Sequence, residues 1–174
     1  MNVFLIGYRG TGKSTVARLL ARRLAWTCLD ADEEIEARAA RSIAEIFATQ
    51  GEATFRDWES QVLADLAARD RVVVSLGGGA VLRPENRAAL VGRGPVVWLQ
   101  AAPETLWRRI QEDSTTAGRR PNLTACGGIT EIIATLGERQ EIYRQCAQLA
   151  VDTEGKTPAL VADEILAELK LGEH

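Results

Sequence analysis

A chain of 174 residues, 46% hydrophobic and 26% charged, has the composition of an ordinary globular protein long enough to bury a full core, which excludes disorder and a second catalytic domain. Its net charge of -3 supplies no global field toward nucleic acid or an anionic membrane, so any bound anion must meet a local cluster. Cys28, Cys126 and Cys146 lack metal-ligand spacing and the one histidine is His174, so neither a disulfide framework nor a zinc site is expected.

In chain order, the unbroken apolar run Val3 to Ile6 predicts a strand buried on both faces. Gly7-Tyr8-Arg9-Gly10-Thr11-Gly12-Lys13-Ser14-Thr15 follows, and from Lys13 the period becomes helical, with Val16, Leu19, Leu20 and Leu24 predicting a helix to about Ala25. Trp26 to Leu29 reads as a second strand closed by Asp30-Ala31-Asp32, after which Glu33 to Arg38 is helical. Ser42 is a cap candidate for a short helix through Ile43, Ile46 and Phe47 that breaks at Gly51, and Glu52 to Arg69 predicts a long helix. Arg71 to Leu76 is the next strand, ended by Gly77-Gly78-Gly79. Pro84 opens a short helix to Val91, Pro95 to Leu99 is a fourth strand, and Pro103 opens the helix of Leu106, Trp107 and Ile110. Glu112 to Gly128 is polar and loop-like. Ile129, Ile132, Ile133, Leu136 and Tyr143 resume helical spacing, Leu149 to Asp152 is a fifth strand, and Pro158 to Leu169 a closing helix. Without a basic leader or an 18-residue apolar run, the expectation is a soluble, cytoplasmic protein.

Alternating strands and helices predict a parallel sheet with right-handed crossovers and ligands at the carboxyl ends of its strands. At the first such end, Gly7, Gly12, Lys13 and Ser14 fill the pattern G-x-x-x-x-G-K-[ST], a P-loop. Glycines there let successive N–H groups turn around a polyphosphate, the lysine reaches its outer phosphates, and the hydroxyl serves Mg²⁺. The helix N-terminus adds its dipole and free N–H groups. Asp30 and Asp32, two apart in an extended segment, share one side and can point to one site, one toward Mg²⁺ and the other toward a substrate hydroxyl. Helix capping is the competing reading, with Asp32, directly before Glu33, as the cap candidate. Three glycines at a strand end are costly unless a backbone must approach something closely, though a tight turn would also use them. Among the arginines, Arg9, Arg22, Arg23, Arg38 and Arg69 read as solvated surface charges. Phe55-Arg56 with Glu59 one turn later instead sets an apolar anchor and an orienting carboxylate beside one guanidinium.

These features together resemble shikimate kinase: the Gly7 to Thr15 loop, the Asp30-Ala31-Asp32 pair, Gly51-Glu52-Ala53-Thr54-Phe55-Arg56 with Glu59, Gly77-Gly78-Gly79-Ala80-Val81, an Arg-Pro in the polar segment, and Arg139. The resemblance runs from about Asn2 to Leu169. It implies one α/β domain over 1–174, a three-layer P-loop kinase with a five-stranded parallel sheet flanked by helices and a mobile lid at about 113–126. It also implies transfer of the ATP γ-phosphate to the 3-hydroxyl of shikimate, with Mg²⁺. An acidic, compact single domain is compatible with a monomer, and its net charge predicts neither a nucleic acid nor a membrane partner.

By the same resemblance Asp32 orients the hydroxyl and can accept its proton, and Asp30 lies near Mg²⁺ through water, beside Ser14. Arg56 and Arg139 grip the carboxylate over Gly77, Gly78 and Gly79. Gly7, Gly10, Thr11, Gly12, Lys13, Ser14 and Thr15 cradle the nucleotide, with Arg109 and Lys156 on its adenine side, although Lys156 equally fits a snorkelling surface lysine. Arg120 folds from the lid onto the phosphates. The run Arg119-Arg120-Pro121-Asn122-Leu123 departs from the family's Arg-Pro followed by two leucines, which leaves Arg119 as the alternative. The rival functions are another small-molecule kinase of this architecture, for gluconate or a nucleoside monophosphate, and a nucleotide-dependent switch.

Overall fold

A computed structural model describes residues 1–113 and 127–172. Five strands, β1 (Val3–Ile6), β2 (Thr27–Asp30), β3 (Val72–Ser75), β4 (Val96–Gln100) and β5 (Leu149–Asp152), form one sheet in the order β2-β3-β1-β4-β5. Every pairing in it is parallel, with Phe4 opposite Val74 on one side and Val96 on the other. Strand alternation decides which core each residue joins. Phe4 and Ile6 face α2 (Ala31–Ala39), α3 (Ile43–Ala67) and α4 (Pro84–Leu90), where Ile35, Ile46, Phe55, Leu63 and Leu90 pack. Val3 and Leu5 face α1 (Lys13–Leu24) and α7 (Pro158–Glu168), against Val16, Leu20, Val161 and Ile165. A third cluster joins Tyr8 to α5 (Pro103–Glu112) and α6 (Gly128–Cys146) through Leu106, Ile110 and Ile132.

The predicted elements form, with boundaries moved by a residue or two. The Ser42 cap is a full capping box with Glu45. The break at Gly51 persists inside α3, where that residue alone leaves helical geometry at φ 82°, ψ 171°. On α6 the expected inward face is rotated: Ile133 is 53% exposed, while Glu131, Ile132, Thr135 and Tyr143 are buried. No described helix is long and apolar enough to cross a membrane. Arg119, Arg120 and Cys126, and all of the candidate lid except Asp113, lie outside the described residues.

Because β1 is central and its neighbours β3 and β4 are reached by separate crossovers, the sheet has its switch point at the carboxyl end of β1. The loop after β1 therefore lies where a ligand crevice forms.

Candidate active site

A cavity of about 550 Å³ opens at that point. Its walls are Gly10 and Gly12 to Thr15 from the loop after β1, Asp30 and Asp32 after β2, Ser75 to Gly78 after β3, and Arg109 from α5. Gly7 closes the loop against the sheet. At φ +139° it holds a conformation L-residues avoid, and a Cβ there would lie 2.5 Å from the Leu99 carbonyl oxygen. The Lys13 ammonium donates to the carbonyls of Gly7 and Tyr8 at 2.8 and 2.9 Å, so the loop's own acceptors hold it over the mouth of α1.

The two aspartates meet by a different route from the one expected. Asp30 is extended and caps α2, its Oδ1 accepting from the N–H groups of Asp32 and Glu33. Asp32 is already in the first turn of that helix, so strand alternation does not bring the pair together; helix entry does. Asp30 Oδ2 meanwhile accepts from Ser14 Oγ at 2.7 Å, and Ser14 Oγ is 3.3 Å from Ser75 Oγ. One carboxylate thus both starts a helix and anchors the P-loop hydroxyl.

The glycine run is explained by what stands against it. A Cβ on Gly79 would lie 2.3 Å from Arg56 Nη1, and one on Gly78 would lie 3.4 Å from Arg139 Nη1. Arg56 is itself buried, donating to Glu59 Oε2 at 2.7 Å and to Glu52 Oε1 at 3.3 Å, with its guanidinium carbon 5.3 Å from the Phe55 ring centroid. Tyr143, one turn beyond Arg139 on α6, donates its hydroxyl to the Gly78 carbonyl. The arrangement brings two guanidinium forks to a backbone platform beside a phosphate-sized loop. Such forks suit a planar carboxylate.

On residues 9–170 the chain matches the protein-family model described as shikimate kinase. It belongs to the shikimate kinase family. The shikimate kinase of Rhodopirellula baltica is 43% identical over 97% of this chain and 88% of its own length, and that of Burkholderia lata is 43% identical over 98% and 90%. The solved shikimate kinase from Acinetobacter baumannii in complex with shikimate superposes with a TM-score of 0.91 at 33% identity, covering 99% of this chain and 94% of that one.

Within this shikimate kinase-family site Thr11 and Lys156 sit apart from the cavity, while Arg109 lines it. Thr11 is buried with its hydroxyl on the Tyr8 carbonyl, and it does not line the phosphate cavity. Arg109 donates to Thr153 Oγ1 at 2.9 Å, to the Thr153 carbonyl at 3.2 Å and to the Gly10 carbonyl at 3.3 Å, tying α5 to the loop after β5 and to the P-loop. Lys156 is drawn to Glu164 on α7, 2.6 Å away, and is not part of the cavity wall.

Other residues enter that sequence reasoning did not single out: Ser75, Tyr143, Arg18 and Glu131. Arg9 corrects its assignment as a solvated charge. Its side chain is 21% exposed, lines the cavity, and stands 3.9 Å from the buried Glu131 carboxylate on α6. Its place inside the phosphate loop was the available signal. Burial pushes the Tyr8 hydroxyl above its ordinary pKa, with the charges of Arg9, Glu131 and Arg139 acting on it as well.

Proposed function

We propose that this chain transfers the γ-phosphoryl group of ATP to the 3-hydroxyl of shikimate. The observation that carries the reading is the pair of guanidinium groups, Arg56 at Gly79 and Arg139 at Gly78, beside the P-loop cavity. Arg56 and Arg139 bind the acceptor carboxylate bidentately, and the backbone of Gly77 to Gly79 supports the ring. Asp32, in the same cavity wall, orients the hydroxyl. As the new oxygen–phosphorus bond forms and the bond to the ADP oxygen breaks, the hydroxyl proton passes to Asp32. In a loose transition state that proton leaves late, so alignment outweighs basicity. Lys13 steadies charge moving onto the leaving oxygen. Arg120 has the same role by resemblance.

The donor set fits Mg²⁺: one hydroxyl, Ser14, hydrogen-bonded to one carboxylate, Asp30, which matches a cation held largely by phosphates and water. When bound, Mg²⁺ neutralises phosphate charge. Gly10, Gly12, Lys13, Ser14 and Thr15 hold the phosphates, and Arg109 borders the base. The acidic chain acts as a cytoplasmic monomer on a small molecule, with one domain over 1–174.

A coupled ADP-release assay across shikimate, quinate, gluconate and nucleoside monophosphates tests the reading. ADP release is expected to depend on shikimate. Equal turnover without acceptor would indicate an ATPase or switch, and preference for another acceptor would displace shikimate.

A further inference from the structure

We infer that Glu131 is a positioning residue for the acceptor side of the site, pairing with Arg9 of the P-loop to fix the register of α6 and therefore the placement of Arg139. This rests on the reading of Arg139 as a carboxylate contact. The buried acidic residues among the described ones are Glu59 and Glu131, and each faces an arginine at the site. Glu59 holds Arg56 directly. Glu131 acts at a distance.

The geometry of α6 shows how. Glu131, Thr135, Arg139 and Tyr143 recur every four residues, so they form one stripe along the helix. Glu131, Thr135 and Tyr143 are buried, and the stripe faces the P-loop at one end and the Gly78 platform at the other. Beside it, Ile132 packs with Tyr8, Leu106 and Ile110. Apolar contact of that kind is non-directional and leaves rotation of the helix weakly specified. An ion pair between the buried Glu131 and the partly exposed Arg9 supplies direction: the best-attested use of such a buried charge is to select one register, since its contribution to stability is offset by desolvation. The Glu131 side chain is 1% exposed and lies 3.9 Å from Arg9 Nη2, in the first turn of α6, where the helix dipole favours a carboxylate. Eight residues separate Glu131 from Arg139, about 12 Å of helix at about 1.5 Å per residue, so a rotation at the first turn carries to the guanidinium.

Removing the charge should therefore weaken acceptor binding and leave the nucleotide nearly untouched. Glu131→Gln is expected to raise the shikimate KM about tenfold, since displacements approaching 1 Å cost up to about 100-fold. The ATP KM and kcat should stay within about twofold. Glu131→Asp, which keeps the charge, should recover most of the loss. Arg9→Met should raise the shikimate KM in the same direction, and the double variant should be no worse than the poorer single one, because one interaction is being removed twice. Circular dichroism and thermal melting check that each variant is folded.

An unchanged shikimate KM in folded Glu131→Gln overturns the inference. So does an equal change in both KM values, or effects of Arg9→Met and Glu131→Gln that multiply. Should Glu131→Gln fail to fold, Arg9→Met decides alone, and an unchanged shikimate KM in that folded variant overturns the inference. Arg139→Met separates the two levels. If it leaves the shikimate KM unchanged, the carboxylate contact falls and this inference with it; if it raises that KM while Glu131→Gln does not, Glu131 alone loses its role.

Discussion

Replacing Gly79 by alanine is a steric probe of the acceptor pocket. Gly79 does not need a left-handed backbone, so alanine introduces no conformational strain there. What it introduces is a methyl group 2.3 Å from Arg56 Nη1, 2.6 Å from Nη2 and 2.7 Å from Cζ. Ordinary contact begins near 3.4 Å, so the guanidinium must retreat by about 1 Å. It is the end of a flexible side chain, so the fold absorbs the movement; the 2.7 Å bond to Glu59 cannot keep its length. A misplacement of about 1 Å costs roughly 100-fold in kcat/KM, which at 1.36 kcal/mol per tenfold is about 2.7 kcal/mol of transition-state stabilisation.

Steady-state ADP release with shikimate varied at saturating ATP should show the loss in the acceptor KM. The ATP KM should stay within about twofold, and the melting temperature within about 4 °C, since about 1 kcal/mol corresponds to a few degrees for a chain of this size. Gly7→Ala is the contrast. There the new methyl meets a backbone carbonyl at 2.5 Å and φ is +139°, so the fold itself should suffer and melting should drop well beyond that range. A folded Gly79→Ala protein with the parent's shikimate KM would refute the placement of Arg56 as a substrate contact.

Arg56→Lys keeps the charge but removes the fork, and should raise the shikimate KM at least about tenfold while sparing the ATP KM; equal effects on both substrates would count against a carboxylate clamp. Asp32→Asn is expected to lower kcat by about 100-fold or more with ATP affinity nearly kept, and near-normal turnover would remove its assigned role. Glu154 accepts from the Thr105 hydroxyl and the Ala102 N–H, and the Thr105 bond is the main reason its carboxyl lies below the ordinary value of 4.5. A depressed folded pKa means its contribution is full above 4.5 and is lost as pH falls through the folded value. The melting-temperature gap between the parent and Glu154→Gln should thus be widest above pH 4.5 and close on acidification, which differential scanning fluorimetry at several pH values can check; a gap that widens in acid contradicts the linkage.

The strands, the P-loop and the glycine platform were legible because each is written locally. Val3 to Ile6 is apolar at every position, and the structure buries every one. Gly51 announces its own break. The purpose of Gly79 was legible only as a need for close approach; the object approached, Arg56, belongs to a different helix. Asp30 and Asp32 line one cavity, though not through the extended geometry expected of them, because the spacing D-x-D serves a strand end and a capped helix start alike, and tertiary placement chose the second with Asp30, not Asp32, as the cap. Arg9 and Glu131 were not legible as a pair. Neither residue type is unusual where it stands, and the inward turn of Glu131 goes with an outward Ile133, an exchange that apolar periodicity reads backwards.

The two halves of the site hold their cations differently, and the difference suits the reaction. On the proposed acceptor side Arg56 is held by the buried Glu59, and Arg139 lies on the helix whose Tyr143 bonds the Gly78 carbonyl and whose Glu131 stands 3.9 Å from Arg9. Under the proposed function, guanidinium groups fixed before substrate arrives would bind a rigid ring carboxylate without paying for its alignment, and would hold the ring still while its hydroxyl reacts. On the donor side Lys13 rests on the loop carbonyls of Gly7 and Tyr8, acceptors it can exchange for phosphate oxygens. An ammonium on a flexible stem can follow a phosphoryl group as charge builds on the leaving oxygen. Fixed forks on the group that must stay and an adjustable point charge on the group that moves make phosphoryl transfer chiefly a matter of positioning, which is what a loose transition state requires.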